Sequence, residues 1–314
     1  MGETMNKMDL SLQFCGEKLS TPLVIASGVA GFGEEISPYL DWRKIGAFTT
    51  KTITLNPRKG NLPPRIVEVT GGVVNSIGLA NPGVEKFQEE KLPFLRTLPT
   101  RIILSIGGER EEEFYELSKV VSSFEGIHFL ELNLSCPNVK EGLFSQNEKV
   151  TARIIEKVKG ISPFPVIAKL SPQVEDIGKI ASICEKAGAD AISLINAFPA
   201  LVMDLEKRKP LLGGITGGLS GPAIKPLALR MVWEARKKVK IPIIGMGGVM
   251  KGKDVVEFLL AGATCVGLGT VILSDPSSPH RILKELKEYL ASQGLSSLEE
   301  LNQEISSKLG MLEF

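Results

Sequence analysis

The chain has 314 residues, 37 of them basic and 36 acidic, for a net charge of +1. That balance gives no support to a nucleic-acid or membrane-surface protein, which would carry a basic face. No run reaches the roughly 18 apolar residues that a membrane span requires. The opening MGETMNKMDL lacks a signal-peptide or transit-peptide pattern, so the expected address is cytoplasmic. The four cysteines, Cys15, Cys136, Cys184 and Cys265, are far apart in sequence, and only His128 and His280 could assist them. A zinc or iron-sulfur site built from this chain alone is therefore not expected.

In chain order, two short strand-like pieces come first, Leu10 to Phe14 and Lys18 to Ser20. Eight apolar, β-rich runs follow: Pro22 to Ala26, Ala47 to Ile53, Arg101 to Ile106, Ile127 to Leu134, Pro165 to Leu170, Ala191 to Ile195, Ile241 to Gly245 and Thr264 to Leu268. Amphipathic stretches separate several of them, including Glu111 to Phe124, Glu148 to Gly160, Val174 to Ala187 and Ala223 to Lys238, with apolar residues at helical spacing. Eight such βα units with right-handed crossovers predict a closed (β/α)8 barrel, the TIM-barrel architecture, with an amino-terminal hairpin. Leu295 to Leu309 reads as an extra terminal helix.

Two insertions interrupt the rhythm. Leu55 to Pro82 follows the second run, and Ala197 to Pro222, which contains GGITGGLSGP, follows the sixth. Both are too long for ordinary βα loops, and both leave the carboxyl ends of strands, where barrels carry their sites. They are expected to arch over the barrel mouth. With no linker or low-complexity segment, residues 1–314 read as one domain.

The strand ends hold the chemistry. Glu131 to Gly142, ELNLSCPNVKEG, places a thiol between two amides where the fourth run breaks into a loop, because Pro137 denies the next segment a donor and biases Cys136 away from helix. Taken alone, Cys136 reads more readily as small apolar filler than as a reactive group, because free cysteine is usually buried. With Asn133 and Asn138 beside it at a strand's carboxyl end, it reads as an accessible base or nucleophile. The last two runs end in GMGG (Gly245 to Gly248) and GLGT (Gly267 to Thr270), each followed by a helix. After strands seven and eight of a barrel such turns cradle phosphate, implying a phosphorylated cofactor or substrate. Neither makes a GxGxxG turn after a first strand, so a Rossmann dinucleotide site is not expected here. Lys51 and Lys169 end apolar runs two and five, where an ammonium must snorkel, find an ion pair or meet an anion. Asn75, Asn133, Asn138 and Asn196 add neutral donors and acceptors suited to a flat heterocycle with amide edges.

The segments TTKTIT, PRKGN, NSIGLANPG, NLSCPNVKEG, AKLSP, GGLSGPAIKP and IPIIGMGG together resemble the class 1 dihydroorotate dehydrogenases, from about Leu10 to Glu304. GGLSGPAIKP with IPIIGMGG is most similar to the NAD-linked class 1B branch. The resemblance implies oxidation of (S)-dihydroorotate to orotate in pyrimidine biosynthesis, with FMN on this chain and Cys136 as the base that takes the C5 proton. It further implies that Lys51, Asn75, Asn133, Asn138 and Asn196, with backbone around Ile77, Gly78 and Leu79, hold the substrate. Lys169 would lie by the flavin's N1 and O2 edge. Ala26, Ser27, Lys51, Thr52, Asn133, Ile195 and Gly221 would line FMN, and Gly247, Gly248, Gly269 and Thr270 would cradle its phosphate. No metal site is implied on this chain. The implied partners are a second copy of the chain and an iron-sulfur flavoprotein subunit carrying FAD and a 2Fe-2S cluster. Two positions depart from the family pattern: CPNVK runs on into EGLFSQN, and Ala197 stands after Asn196 where a hydroxyl residue is common. An FMN-dependent reductase of another dihydropyrimidine, transfer to fumarate or another soluble acceptor, and a noncatalytic flavin-binding barrel are the alternatives.

Overall fold

The computed structural model describes residues 8–134 and 144–309. The chain opens with an antiparallel hairpin, β1 (Leu12–Phe14) and β2 (Glu17–Leu19), turned by Cys15 and Gly16, both at positive φ. The strands that follow are β3 (Leu23–Ile25), β4 (Ala47–Thr49), β5 (Ile66–Val69), β6 (Gly72–Asn75), β7 (Arg101–Ile106), β8 (Phe129–Asn133), β9 (Val166–Lys169) and β10 (Ala191–Leu194). After them come β11 (Phe198–Ala200), β12 (Met203–Asp204), β13 (Lys209–Pro210), β14 (Gly217–Ser220), β15 (Ile243–Met246) and β16 (Cys265–Leu268).

Strands β3, β4, β7, β8, β9, β10, β15 and β16 pair in parallel and close into a barrel. Each of the eight predicted apolar runs supplies one of them. The second run is longer than its strand, because regular pairing stops at Thr49. Beyond it the chain keeps contact with β7 through Thr50 N to Ile103 O, Ile53 N to Ser105 O and an Ile53–Ile106 bridge. Lys51 turns instead to Gly31, donating its backbone N–H to that carbonyl at 2.9 Å.

Alternation along the strands divides the apolar residues between two cores. Ile25, Phe48, Ile102, Leu104, Leu130, Leu132, Ala168, Ile192, Leu194 and Leu268 pack outward against the helices. The helix Glu111–Val121 meets them with Phe114, Leu117 and Val121, buried at helical spacing with acidic residues at the start. Asn147 caps the helix Glu148–Lys159 by accepting from Val150 N, and Asp176 caps Ile177–Lys186 by accepting from Lys179 N. Inside the barrel a second cluster, Val24, Ala47, Ile103, Phe129, Ile167, Ala191, Ile244 and Cys265, fills the lower layer. The hairpin closes that end with Phe14 and Leu19, Phe14 meeting Phe129 edge-on at 5.4 Å between centroids.

One strand step higher, the inward residues become polar. Thr49, Ser105, Glu131, Lys169 and Ser193 are all buried. An apolar floor beneath a polar storey means that the molecule reserves the carboxyl-terminal end of the strands for something other than packing. Over that end the two insertions combine into one antiparallel sheet, ordered β11, β14, β6, β5. Gly218 pairs with Asn75 and Leu219 with Val74, so the predicted arch is a shared sheet made from segments far apart in sequence. The terminal helix forms at Leu298–Leu309. No helix among the described residues is long and apolar enough to cross a membrane, and no group of His, Cys, Asp and Glu among them could hold a metal ion.

Candidate active site at the barrel mouth

The strand ends converge on a hydrogen-bonded cluster of hydroxyls and one amide. The Asn133 side-chain amide donates to Thr52 Oγ1 at 3.2 Å, and Thr52 Oγ1 lies 2.9 Å from Ser105 Oγ and 3.3 Å from Ser27 Oγ. Ser27 Oγ donates in turn to Thr50 O at 2.8 Å, and Thr50 Oγ1 accepts from Ser105 N at 3.1 Å. Ala26 is tied to the eighth strand by Ala26 N to Leu268 O. Residues from four strand ends are thus locked to each other before any ligand arrives, which is the preorganisation a binding site needs.

The first insertion delivers Leu79 to the same place. A methyl group built at Gly107 would lie 2.9 Å from Thr52, 3.9 Å from Asn133 and 3.9 Å from Leu79. Leu79 is itself held at φ 54°, an uncommon conformation for a bulky side chain, and follows Gly78 at φ 72°. Ile77 O accepts from Asn61 N, fixing this turn to the insertion's own loop. Asn75 donates from its amide to Gly218 O at 3.3 Å, and a methyl group at Gly218 would stand 2.6 Å from the Ala197 side chain. In the shared sheet, Gly218 thus lies between Asn75 on one side and Ala197 on the other. Asn196 Oδ1 accepts from Ala197 N at 2.8 Å, and its own backbone is tied to Leu170 O. The peptide between Leu194 and the buried Ile195 is cis, and Ile195 N donates to Met246 O.

A second group forms where the seventh and eighth strands end. Gly221 is at φ 115° and Gly248 at φ 77°, and a methyl group at Gly248 would sit 2.8 Å from Gly221 O and 2.9 Å from Lys225 N. Only glycine allows these two turns to touch. Gly247 is seated against Ala228, where a methyl group would come within 2.7 Å. Thr270 Oγ1 and Ser220 Oγ are hydrogen-bonded at 2.8 Å, so the second insertion joins the eighth strand's turn. At Gly269 a methyl group would meet no described atom within 4 Å. Close-packed glycine backbone behind and open space in front fit a bound phosphate.

Two cations face this region. Lys169 ends β9 level with Asn133, is 5% exposed, and makes no ion pair within 4.0 Å among the described residues. Lys51 is half-buried, and burial, reinforced by the charge of Arg65 and partly countered by Glu35, holds its ammonium below the ordinary lysine value of 10.5. Buried cations of this kind fit anions better than they fit water-exposed snorkelling. A cleft of about 490 Å3 opens within the first insertion, among Arg58, Lys59, Gly60, Asn61 and Gly78. A larger cleft, about 550 Å3, lies by the strand starts between Leu10, Thr21, Lys44, His280 and Leu283. None of the strand-end residues borders it, so the chemistry is assigned to the mouth.

Cys136 and Asn138 lie outside the described residues. The strand that leads to them, β8, ends at Asn133 within the hydroxyl cluster.

The sequence matches the family model for dihydroorotate dehydrogenase over residues 9–290. It is 50% identical over 296 residues to "Dihydroorotate dehydrogenase B (NAD(+)), catalytic subunit" of Caldicellulosiruptor saccharolyticus, a match covering 94% of this chain and 98% of that protein. Proteins of the same name from Geotalea daltonii and Geobacter sulfurreducens are 48% and 47% identical over 299 residues, covering 95% of this chain and 98% of each. The chain belongs to the dihydroorotate dehydrogenase family.

In this dihydroorotate dehydrogenase family member the mouth joins Ser27, Thr52 and Asn133 through hydrogen bonds with Leu79 close to Gly107 beside them, and it brings the turns at Gly221 and Gly248 together and ties Thr270 to Ser220. Sequence reasoning missed Ser105, Ser193, Ser220 and Glu131. Glu131 and Ser193 had a signal, since each is a polar residue at an inward position of an otherwise apolar strand. Ser105 follows the same alternation on β7. Ser220 had none, because its place depends on the pairing of β14 with β6.

Proposed function

We propose that this chain is the FMN-containing catalytic subunit of an NAD-linked dihydroorotate dehydrogenase, oxidising (S)-dihydroorotate to orotate in pyrimidine biosynthesis. The observation that carries the reading is the near-complete match to such catalytic subunits together with a buried Lys169, level with Asn133 in a polar barrel storey and without an ion pair within 4.0 Å among the described residues. The residues fit FMN. The Gly221, Gly248, Gly269 and Thr270 turns would hold its phosphate, the Ala26, Ser27, Thr52 and Ile195 backbone its ring system, and Lys169 its N1 and O2 edge. Bound there, FMN supplies the acceptor for the hydride that leaves C6 of the substrate.

The chain's own residues do the rest. Lys51, with Asn75, Asn133, Asn138, Asn196 and the Ile77 to Leu79 backbone, orients the substrate's carboxylate and ring. Removing the C5 proton falls to Cys136 on the opposite face. Because the neighbouring carbonyl acidifies that hydrogen, amide donors aimed at the carbonyl oxygen lower the barrier further. With FMN bound, Lys169 would offer positive charge to the N1 and O2 edge of its ring. Pairing a base on one face with an acceptor on the other removes proton and hydride from adjacent carbons without exposing a carbanion to water.

The two electrons then pass to NAD through a partner. We assign that partner to an iron-sulfur flavoprotein with FAD and a 2Fe-2S cluster, bound to a dimer of this chain in the cytoplasm. The reading is tested by anaerobic stopped-flow mixing of the yellow protein with dihydroorotate and, separately, dihydrouracil. Bleaching by dihydroorotate alone is expected. Bleaching by dihydrouracil alone would move the assignment to another dihydropyrimidine, and bleaching by neither would leave a flavin-binding barrel without this activity. Recovery of an iron-containing flavoprotein with the chain is the expected result for the partner.

A further inference from the structure

Glu131 is the one carboxylate in the polar storey beneath the mouth among the described residues, and nothing above gives it a task. It is 1% exposed. Its Oε2 accepts from Ser193 Oγ at 2.8 Å, while its Oε1 is buried with no hydrogen-bond partner. A carboxylate withdrawn from water and left with a single donor is costly unless an opposite charge compensates it.

The strand register identifies that charge. Asn133 on β8, Lys169 on β9 and Ser193 on β10 lie level with one another, and Glu131 is one inward step below Asn133 on β8. To reach Ser193 on β10, the Glu131 carboxylate on β8 spans the intervening strand β9, the strand that carries Lys169. No ion pair within 4.0 Å joins the two, and both are buried, where charges are screened less than at a surface. The ammonium is left free to meet an anion above.

We propose that Glu131 is a positioning residue, the buried counter-charge that, suspended from Ser193 beneath Lys169, fixes that ammonium at the floor of the mouth and balances its field on the flavin. This rests on the FMN reading given above. Balancing has a direct consequence for the flavin. Without the carboxylate, the field of Lys169 acts alone and favours the added negative charge of the reduced ring.

The first measurement needs no flavin. Urea unfolding of the full chain stripped of FMN is compared for the native protein, E131Q, K169M and the double variant. Loss of either charge is expected to lower the folding equilibrium constant, and the loss caused by K169M should be at least tenfold smaller in the E131Q background than in the native one. Losses that multiply independently, within about twofold, would overturn the proposal and leave Glu131 a structural partner of Ser193. Should E131Q fail to fold, S193A, which keeps both charges, replaces it in the stability comparison: coupling of S193A to K169M supports the proposal and independence overturns it. The second measurement is the midpoint potential of the FMN-loaded chain by dye equilibration. It should move to more positive values in E131Q and stay near native in E131D, whereas an unchanged or more negative potential in E131Q would overturn the proposal. If the native chain does not bind FMN at all, the flavin reading fails while the unfolding cycle still decides the Glu131–Lys169 pairing.

Discussion

The Asn133 amide and the Thr52 hydroxyl meet across the barrel mouth at 3.2 Å, joining the end of β8 to the segment beyond β4. Asn133 stands three residues before Cys136, so this bond anchors the last described turn before the proposed base. Thr52 Oγ1 also lies within hydrogen-bonding reach of Ser105 and Ser27, which makes it the junction of the cluster.

Replacing Thr52 by valine keeps its shape and removes that junction. Buried hydrogen-bonding groups on Asn133 and Ser105 would lose a partner, and each such loss costs about 1 to 3 kcal/mol. We expect T52V to fold with stability lowered by about that amount and to reduce its flavin about 10-fold or more slowly. Urea midpoints and single-turnover bleaching measure the two effects, and a native reduction rate would show that the cluster does not orient the reacting groups.

Cys136→Ala should retain flavin yet lose about 10² to 10⁴ in the rate of flavin reduction, the usual range for a missing general base. The visible flavin band reports both content and rate. An unchanged rate would remove Cys136 from the mechanism.

Burial holds Lys51 below the ordinary lysine value. Its charged form is the one that would bind the substrate carboxylate, and that form is lost as pH rises through the lowered value. Accordingly kcat/KM for dihydroorotate should fall on the alkaline side earlier than an ordinary lysine would dictate, and the same limb should vanish in Lys51→Met. The sign for stability is opposite. Because the fold disfavours the ammonium, its contribution becomes more favourable as pH rises from the depressed value towards 10.5. A pH profile of kcat/KM that is identical in the two proteins would exclude Lys51 as the carboxylate's partner.

Gly248→Ala adds a methyl group 2.8 Å from Gly221 O and 2.9 Å from Lys225 N, at a φ of 77° that disfavours alanine. Rigid backbone on both sides leaves little room to yield. Purified G248A should carry less flavin than native protein and dissociate FMN at least tenfold more readily, as read by recovery of free-flavin fluorescence. Native retention would place the phosphate elsewhere.

Apolar patterning alone located the barrel. Parallel strands covered on both faces are apolar over most of their length, so runs such as Ile127 to Leu134 and Ala191 to Ile195 stood out, and glycine turns after the last two pointed to the proposed phosphate end. The family motifs added chemistry to those positions, among them Cys136, Lys51 and Lys169. What stayed hidden was non-local. Gly217–Ser220 has almost no strand propensity and becomes a strand only because Val73, Val74 and Asn75 present an edge to it from the other insertion. The hydrogen bond from Asn75 to Gly218 follows from that pairing.

Local sequence, then, determined which segments form the barrel strands and which strand ends carry polar side chains, since burial on both faces and tight turns leave their mark residue by residue. Which of those side chains touch was settled only when the barrel closed. Register across β8, β9 and β10 brought Ser193 within reach of Glu131 across the strand that carries Lys169, and closure joined Thr52, Ser105 and Asn133. Such contacts depend on how neighbouring strands are staggered, a property of the closed sheet that no single segment encodes.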